Sequence, residues 1–325
     1  MANFSFHIAG LDSPLRADLY LSSQSGFPSR SRLKQLFNDG KFLLNGMLAK
    51  PSTRVKNGDT LSGELPAPVP SHLDPEPIPL TILYEDRDLI VIDKPAGLVT
   101  HPSPNKLSGT LVNALLFHCR DLSGVGGWIK PGIVHRLDKL TSGVMVAAKN
   151  DMAHCHLAAQ FKAHTIDRKY LALVHGQMPR PAGKIETMIG RNPAHRLKMT
   201  GRLEKGRRAV THYRVIAQRP GFSLIECKLE TGRTHQIRVH LSEANHPVVG
   251  DALYGKGRTT PRLDPALASA LRHLKRQALH AARLGFVHPR TNQTMTFSSP
   301  LPEDFKAVLA ALDLLGVVNP ETKST

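Results

Sequence analysis

Short apolar runs separated by polar turns dominate the chain after residue 80. TILY (81–84) and LIVI (89–92) flank the acidic turn EDRD, and GVMVAAK (143–149) reads as a buried strand. KYLALVHG and GFSLIECKLE alternate as further strands, and LGFVHPRTNQTMTF predicts a hairpin around a Pro/Asn turn. Helical spacing occurs in three places. DMAHCHLAAQFKAHT (151–165) offers Met152, Cys155, Ala159 and Phe161 as an apolar face, THQIRVHLSEA brings Ile237 and Leu241 together, and PEDFKAVLAALDLLG carries Phe305, Leu309 and Leu312. Strands outnumber helices and seldom alternate with them, which favours an α+β fold on a mixed, mainly antiparallel sheet.

PAPVPSHLDPEPIP (66–79) has six prolines in fourteen positions. Proline removes backbone donors and favours extended chain, so this stretch predicts a semi-rigid linker between a module at 1–65 and a body at 80–325. In the module, SRSRLKQLFND (29–39) suits a short helix ended by Gly40. KFLLNGMLAKP follows as strand–turn–strand at Asn45-Gly46, and VKNGDTL repeats that turn chemistry at Asn57-Gly58.

Charge changes the picture. The 325 residues hold 43 Lys and Arg against 26 Asp and Glu, a formal net charge of +17, which points to a polyanionic partner. Arg30, Arg32 and Lys34 cluster on the expected helix of the module, and RNA docking is the favoured reading over a solvated face. The stretch 191–208 has eight basic residues, counting His195, against one Glu, and reads the same way. Three unclustered cysteines argue against a disulfide framework or a thiolate zinc site. No run of 18 apolar residues occurs, so no membrane span is expected, and a soluble cytoplasmic protein is the simplest reading. A Gly-rich phosphate loop is absent, which argues against a nucleotide cofactor.

Two stretches could carry chemistry. In GIVHRLDKLTSG, Arg136, Asp138 and Lys139 precede a buried strand; a carboxylate there could be a nucleophile, a general base, or a turn residue capping backbone amides. His135 reads as structural. In ETGRTHQIRVHL, Gly232 suits a tight strand-to-helix turn bearing Arg233. Arg238 lies one helical turn after Thr234, where it could reach a buried Asp or merely pair at the surface.

These residues carry a resemblance. HRLDKLTSG resembles the signature loop of the RluA family of pseudouridine synthases. The likeness continues in order through YEDRDLIVIDKPAGLVTHP, RKYLALVHG, IGRNPAHRLKM, THYRV, TGRTHQIRVHLSEANHPVVGDALYG and LHAARLGFVHP. The segment 1–65 is similar to an S4 RNA-binding domain. The resemblance implies a central cleft and a cofactor-free isomerisation of a uridine, with large-subunit ribosomal RNA or its precursor as partner; a monomer is expected. It implies Asp138 as catalytic nucleophile, Tyr170 packing on the target base and assisting removal of the C5 proton, and Arg238 pairing with the aspartate. Arg136 would enter the RNA stack where the flipped base left, with Arg233 as a further RNA contact. A tRNA-directed enzyme and a non-catalytic ribosome-assembly factor on the same scaffold are the alternatives. The basic segment 256–277 looks longer than the motif order requires, as an RNA contact or an idle insertion.

Overall fold

The structure, a computed structural model, describes residues 2–24, 27, 30–65, 73–103, 107–119, 122, 131–255 and 263–318, with Ala2, Ser31 and Arg32 described by backbone alone. The N-terminal part comprises β1 (Ala2–His7), β2 (Leu15–Arg16), α1 (Ala17–Ser23), α2 (Arg30–Asn38), β3 (Phe42–Leu44), β4 (Met47–Leu48), β5 (Arg54–Val55) and β6 (Thr60–Leu65). Its sheet runs β1-β6-β3-β4, with a separate β2-β5 pair, and encloses its own core of Leu21, Leu33, Phe37, Phe42, Val55 and Leu61. Asn45 and Gly46 have φ of 51° and 82°, the left-handed pair a tight hairpin needs. Asn57-Gly58 makes no hairpin: β5 pairs with β2 and β6 with β1 and β3, so the turn passes the chain between two sheets.

Residues 66–72 of the expected linker lie outside the described residues. Residues 73–79 are fastened to the body, which corrects that half of the expectation. Glu76 N donates to Asn113 O at 3.0 Å, and the Glu76 carboxylate accepts from Gly109 N at 2.8 Å. Prolines remove donors only at their own positions, and the residues between them remain free to bind.

The body comprises β7 (Thr81–Glu85), β8 (Leu89–Lys94), α3 (Leu111–His118), β9 (Ser142–Ala148), α4 (Asp151–Ala163), β10 (Asp167–His175), β11 (Ala182–Arg191), β12 (Met199–Thr200), β13 (Arg207–Arg219), β14 (Phe222–Leu229), α5 (Gln236–Glu243), α6 (Pro265–Leu274), β15 (Leu279–Val287), β16 (Thr294–Ser298), α7 (Glu303–Ala311) and α8 (Leu315–Val318). Its ten-stranded sheet runs β12-β11-β13-β14-β10-β15-β9-β8-β7, with β16 on β15. Among its named strands only β9 and β15 pair in parallel. At that seam Gly143 has φ of +119°, and a Cβ there would run into the Ala281 backbone.

β8 and β9 are covered on both faces. Ile90, Ile92, Met145 and Ala147 join one core cluster and Leu89, Val91, Val144 and Val146 another, which explains their unbroken apolar runs. α4 buries Ala153 and Leu157 with Phe161 half-buried, whereas Met152, Cys155 and Ala159 are exposed. The expected face was therefore displaced: a stripe at 153, 157 and 161 obeys i, i+4 spacing, and small Ala153 lets the helix approach the sheet. α6, inside the basic segment 256–277, sends Leu267 and Leu274 into the main core beside α7. Buried Arg276 clamps Asp304 at 2.5 and 2.6 Å. From 263 onward that segment is architectural rather than idle; 256–262 lie outside the described residues.

Candidate active site

A cleft of about 470 Å³ opens in the body, and Arg136, Asp138, Arg168, Tyr170, Arg233 and Arg238 are among its lining residues. Such a volume accommodates a nucleoside. Asp138 sits on the loop leading into β9, and the segment following β8 fixes that loop. Thr100 Oγ1 donates to Leu137 O at 2.9 Å, Gly97 N donates to Lys139 O at 2.8 Å, and Thr141 N closes on Asp138 O at 3.0 Å.

Lys94, the last residue of β8, is fully buried, with Nζ donating to Pro95 O (2.8 Å), Leu98 O (2.9 Å) and Lys139 O (3.3 Å). Burial pushes its ammonium down to about 7, outweighing the attraction of Asp138.

Arg238 reaches the cleft from the first turn of α5. His235, at φ 57°, caps that helix, so Thr234 lies on the preceding turn rather than on the helix as expected. Gln236 locks the turn by donating to Val210 O at 2.9 Å and accepting from Thr231 Oγ1 at 2.7 Å. Arg238 Nη1 donates to Asp138 Oδ2 at 2.9 Å, while Nε and Nη2 clamp Asp251 at 2.7 and 3.0 Å. The Tyr254 ring lies 5.0 Å from its guanidinium carbon. Burial works against the cation, but Asp251 and Asp138 more than compensate and raise its pKa. His235 Nε2 stands 3.9 Å from the other Asp138 oxygen, and burial lowers the pKa of that imidazole.

Tyr170 is 8% exposed on β10. Burial raises its phenol, Arg168 pulls the other way, and the Asp138 carboxylate adds to the rise. His135 is structural, as expected. Its Nε2 accepts from Val146 N at 3.1 Å, its ring stacks on Phe161 at 4.6 Å, and burial with the Arg168 charge pushes it down to about 3.

The structure therefore brings Asp138, Tyr170 and Arg238 to one cavity. Arg136 is exposed at its edge, 3.4 Å from His101 Nε2, and Arg233 lines it while donating from Nε to Arg208 O at 3.1 Å. Of the module residues, Arg30 and Lys34 lie apart from the cavity lining. Lys34 is exposed beside a hollow it shares with Arg16 and Lys50. Arg30 is engaged instead: it donates to Asp18 at 2.9 Å, as does Arg16, and Asp18 is wholly buried. Of the Arg32 side chain nothing is described. In the basic stretch 191–208 the cationic side chains are mostly exposed, and Arg208 pairs with Glu186 at 2.6 Å. Sequence reasoning assigned no role to Lys94, Arg168, Asp251 or Tyr254. The motifs DKPAG, RKYLALV and GDALYG contained them, but only the fold shows which side chains turn inward.

The family model described as RNA pseudouridylate synthase matches residues 88–243. A ribosomal large subunit pseudouridine synthase D from Zymomonas mobilis is 44% identical over 301 residues, covering 91% of this chain and 93% of that protein. An uncharacterized RNA pseudouridine synthase from Bacillus subtilis is 43% identical over 297 residues, 91% of this chain and 94% of that one. Among solved structures, the human RNA pseudouridylate synthase domain containing 4 superposes with a TM-score of 0.55 at 26% identity, covering 72% of this chain and 93% of that one. Domain containing 1 gives 0.54 at 26% identity, covering 72% and 87%. The paired Asp138 and Arg238 lie inside the matched segment, and the relatives align along nearly the whole chain: it belongs to the RluA family of RNA pseudouridine synthases and is an isomerase.

Proposed function

We propose that the cleft receives a uridine flipped out of large-subunit ribosomal RNA and that Asp138, Tyr170 and Arg238 carry out its isomerisation. The observation that carries this reading is the 2.9 Å ion pair between Arg238 and Asp138 on the wall of a nucleoside-sized cavity that Tyr170 also lines. Arg238, clamped by Asp251, aims the Asp138 carboxylate. That carboxylate attacks the target nucleotide at C1′, and the electrons of the C1′–N1 bond leave on the ring. The ring turns, and C5 rejoins C1′ and releases the carboxylate. Tyr170, whose phenol burial raises, packs on the base and relays the C5 proton to the freed carboxylate. The carboxyl passes that proton to solvent and N1 takes one from solvent, so Asp138 ends ionised as it began and the atoms balance as in any isomerisation.

Extrusion of a stacked base costs a few kcal/mol, and exposed Arg136 refills the gap with a planar cation. Arg233 and the basic loop 191–208 hold phosphates at the rim. The module at 1–65 acts as an S4-like RNA-docking domain tethered to the catalytic body, with Lys34 on its docking surface. The enzyme works as a cytoplasmic monomer without a cofactor. The ribosomal target is supported by the naming of relatives that align along nearly the whole chain as large-subunit synthases.

The test is tritium release from RNA bearing uridine tritiated at C5, comparing wild type with Asp138→Asn on ribosomal RNA and on tRNA. Release by wild type alone, on ribosomal RNA, is expected. Preference for tRNA would overturn the substrate class, and tight binding without release would overturn the catalytic reading.

A further inference from the structure

Arg168 precedes Tyr170 by two residues on β10, so both side chains leave the same face of the sheet, and both line the cleft. It is 6% exposed, and among the described residues no carboxylate lies within ion-pair distance. Nη2 is spent on the carbonyls of Leu229 (3.4 Å) and Glu230 (2.8 Å), and Nε is buried without a partner. Nη1 makes no hydrogen bond among the described residues. A Cβ on Gly232 would come within 2.7 Å of it, so the glycine leaves the space that Nη1 occupies. The guanidinium carbon lies 5.6 Å from the Phe161 ring centroid.

A buried cation without a counter-ion is costly unless a ligand supplies the missing charge. Two kinds of acceptor could come to it, a phosphate or the base itself. Lys162 and Arg233 are outlying cations of the same cavity, the first exposed, and suit the RNA backbone. Arg168 instead stands beside the Phe161 ring and two residues from Tyr170, and with both it lines the nucleoside-sized cleft.

Resting on the reading of this cleft as the uridine pocket, we infer that Arg168 is a catalytic residue whose Nη1 donates to a carbonyl oxygen of the flipped uracil and stabilises the negative charge that ring acquires as C1′–N1 breaks. The bond's electron pair spreads over N1, O2 and O4 of the detached ring, and the fixed guanidinium meets it without moving. When C5 returns a pair to C1′ the charge disappears, and Arg168 ends as it began. Donors preorganised toward developing charge in a water-poor site typically contribute two to three orders of magnitude in rate.

The test measures single-turnover conversion, RNA affinity and thermal midpoint for wild type, Arg168→Gln, Arg168→Lys and Gly232→Ala. The substrates are RNA with uridine and with 5-fluorouridine at the target; the fluorine cannot leave C5 as the proton does, so the rearranged fluoro-base keeps it and takes up water at C6, and loss of the N1-linked nucleoside is read for both after digestion. Arg168→Gln should lose about 100-fold in rate on uridine with affinity held within a few-fold. The loss should shrink about 10-fold on 5-fluorouridine, whose fluorine already stabilises the ring anion. Gly232→Ala, which keeps the charge but displaces Nη1, should lose about 10-fold and keeps the question answerable if the glutamine variant is unstable. Equal losses on both substrates would overturn the inference in favour of a structural role. Affinity falling with rate, and a salt slope reduced by about 0.7, would overturn it in favour of a phosphate contact. Wild-type conversion with an inert Asp138→Asn establishes the cleft separately, so a fully active Arg168→Gln would sink this inference alone.

Discussion

Arg238 is shared between two carboxylates: one nitrogen faces Asp138 at 2.9 Å, and two clamp Asp251 at 2.7 and 3.0 Å. Asp251 also accepts from Leu253 N and Tyr254 N, at 3.0 and 3.1 Å, so it is anchored before it anchors Arg238. Asp251→Asn keeps one acceptor oxygen and loosens the clamp. Single-turnover rate should fall about 10- to 100-fold with RNA affinity retained, because small misplacements of a reacting group cost about that much. Asp251→Ala should lower the unfolding free energy by about 3 kcal/mol, read from urea denaturation, since it leaves a buried cation with one of its two partners.

Asp138→Asn retains size and shape and gives up the nucleophile. Tritium release should vanish while RNA affinity, measured by filter binding, stays within a few-fold of wild type. A large loss of affinity would assign Asp138 to the structure of the loop.

Lys94 should make stability depend on pH. Its folded pKa is about 7 against an ordinary 10.5, so below pH 7 both states hold the proton and burial is penalised in full. From pH 7 to 9 the folded state sheds the proton while the unfolded chain keeps it, and stability rises by about 2 kcal/mol. Urea unfolding of wild type and Lys94→Met should diverge by that amount across the window, in favour of wild type as pH rises. Cys227, pushed up to about 12 by burial, opposes the trend above pH 9 in both proteins and cancels in the difference.

Of the three module cations proposed for docking, the two whose side chains are described should respond differently to neutralisation. Lys34→Ala should reduce the salt slope of RNA binding by about 0.7–0.9, the value of one phosphate contact. Arg30→Gln should leave more of that slope intact and lower the module's stability by about 1 kcal/mol, because buried Asp18 loses one of its two cations. Salt titrations and thermal melts on the same variants separate the two effects.

The sheet was legible because its information is local: apolar runs mark strands buried on both faces. The Asp138–Arg238 pair, 100 residues apart, was legible only through the family resemblance that HRLD and GRTHQIRVH carry. What escaped were contacts to which neither periodicity nor the resemblance gave a role. Asp251 meets Arg238 thirteen residues away through a turn no periodicity describes, and Lys94 finds Lys139 O across 45 residues. On α4, the pattern of large apolar residues misled because Ala153 and Leu157, not Met152 and Cys155, face the sheet. Asn57-Gly58 supplied hairpin chemistry, but partner choice was decided by β1 and β2, far earlier in the chain.

One guanidinium between two acids leaves the Arg238 trio with a formal charge of −1 at the heart of a protein carrying +17. Exposed Arg136, Lys162 and His164 stand at the same cavity. Buried Arg168 lines the same cavity, and its +1 offsets the trio's −1, so the cavity holds separated poles rather than net charge. A neutral but polar group can satisfy both poles at once, whereas a group of either sign is attracted by one and repelled by the other.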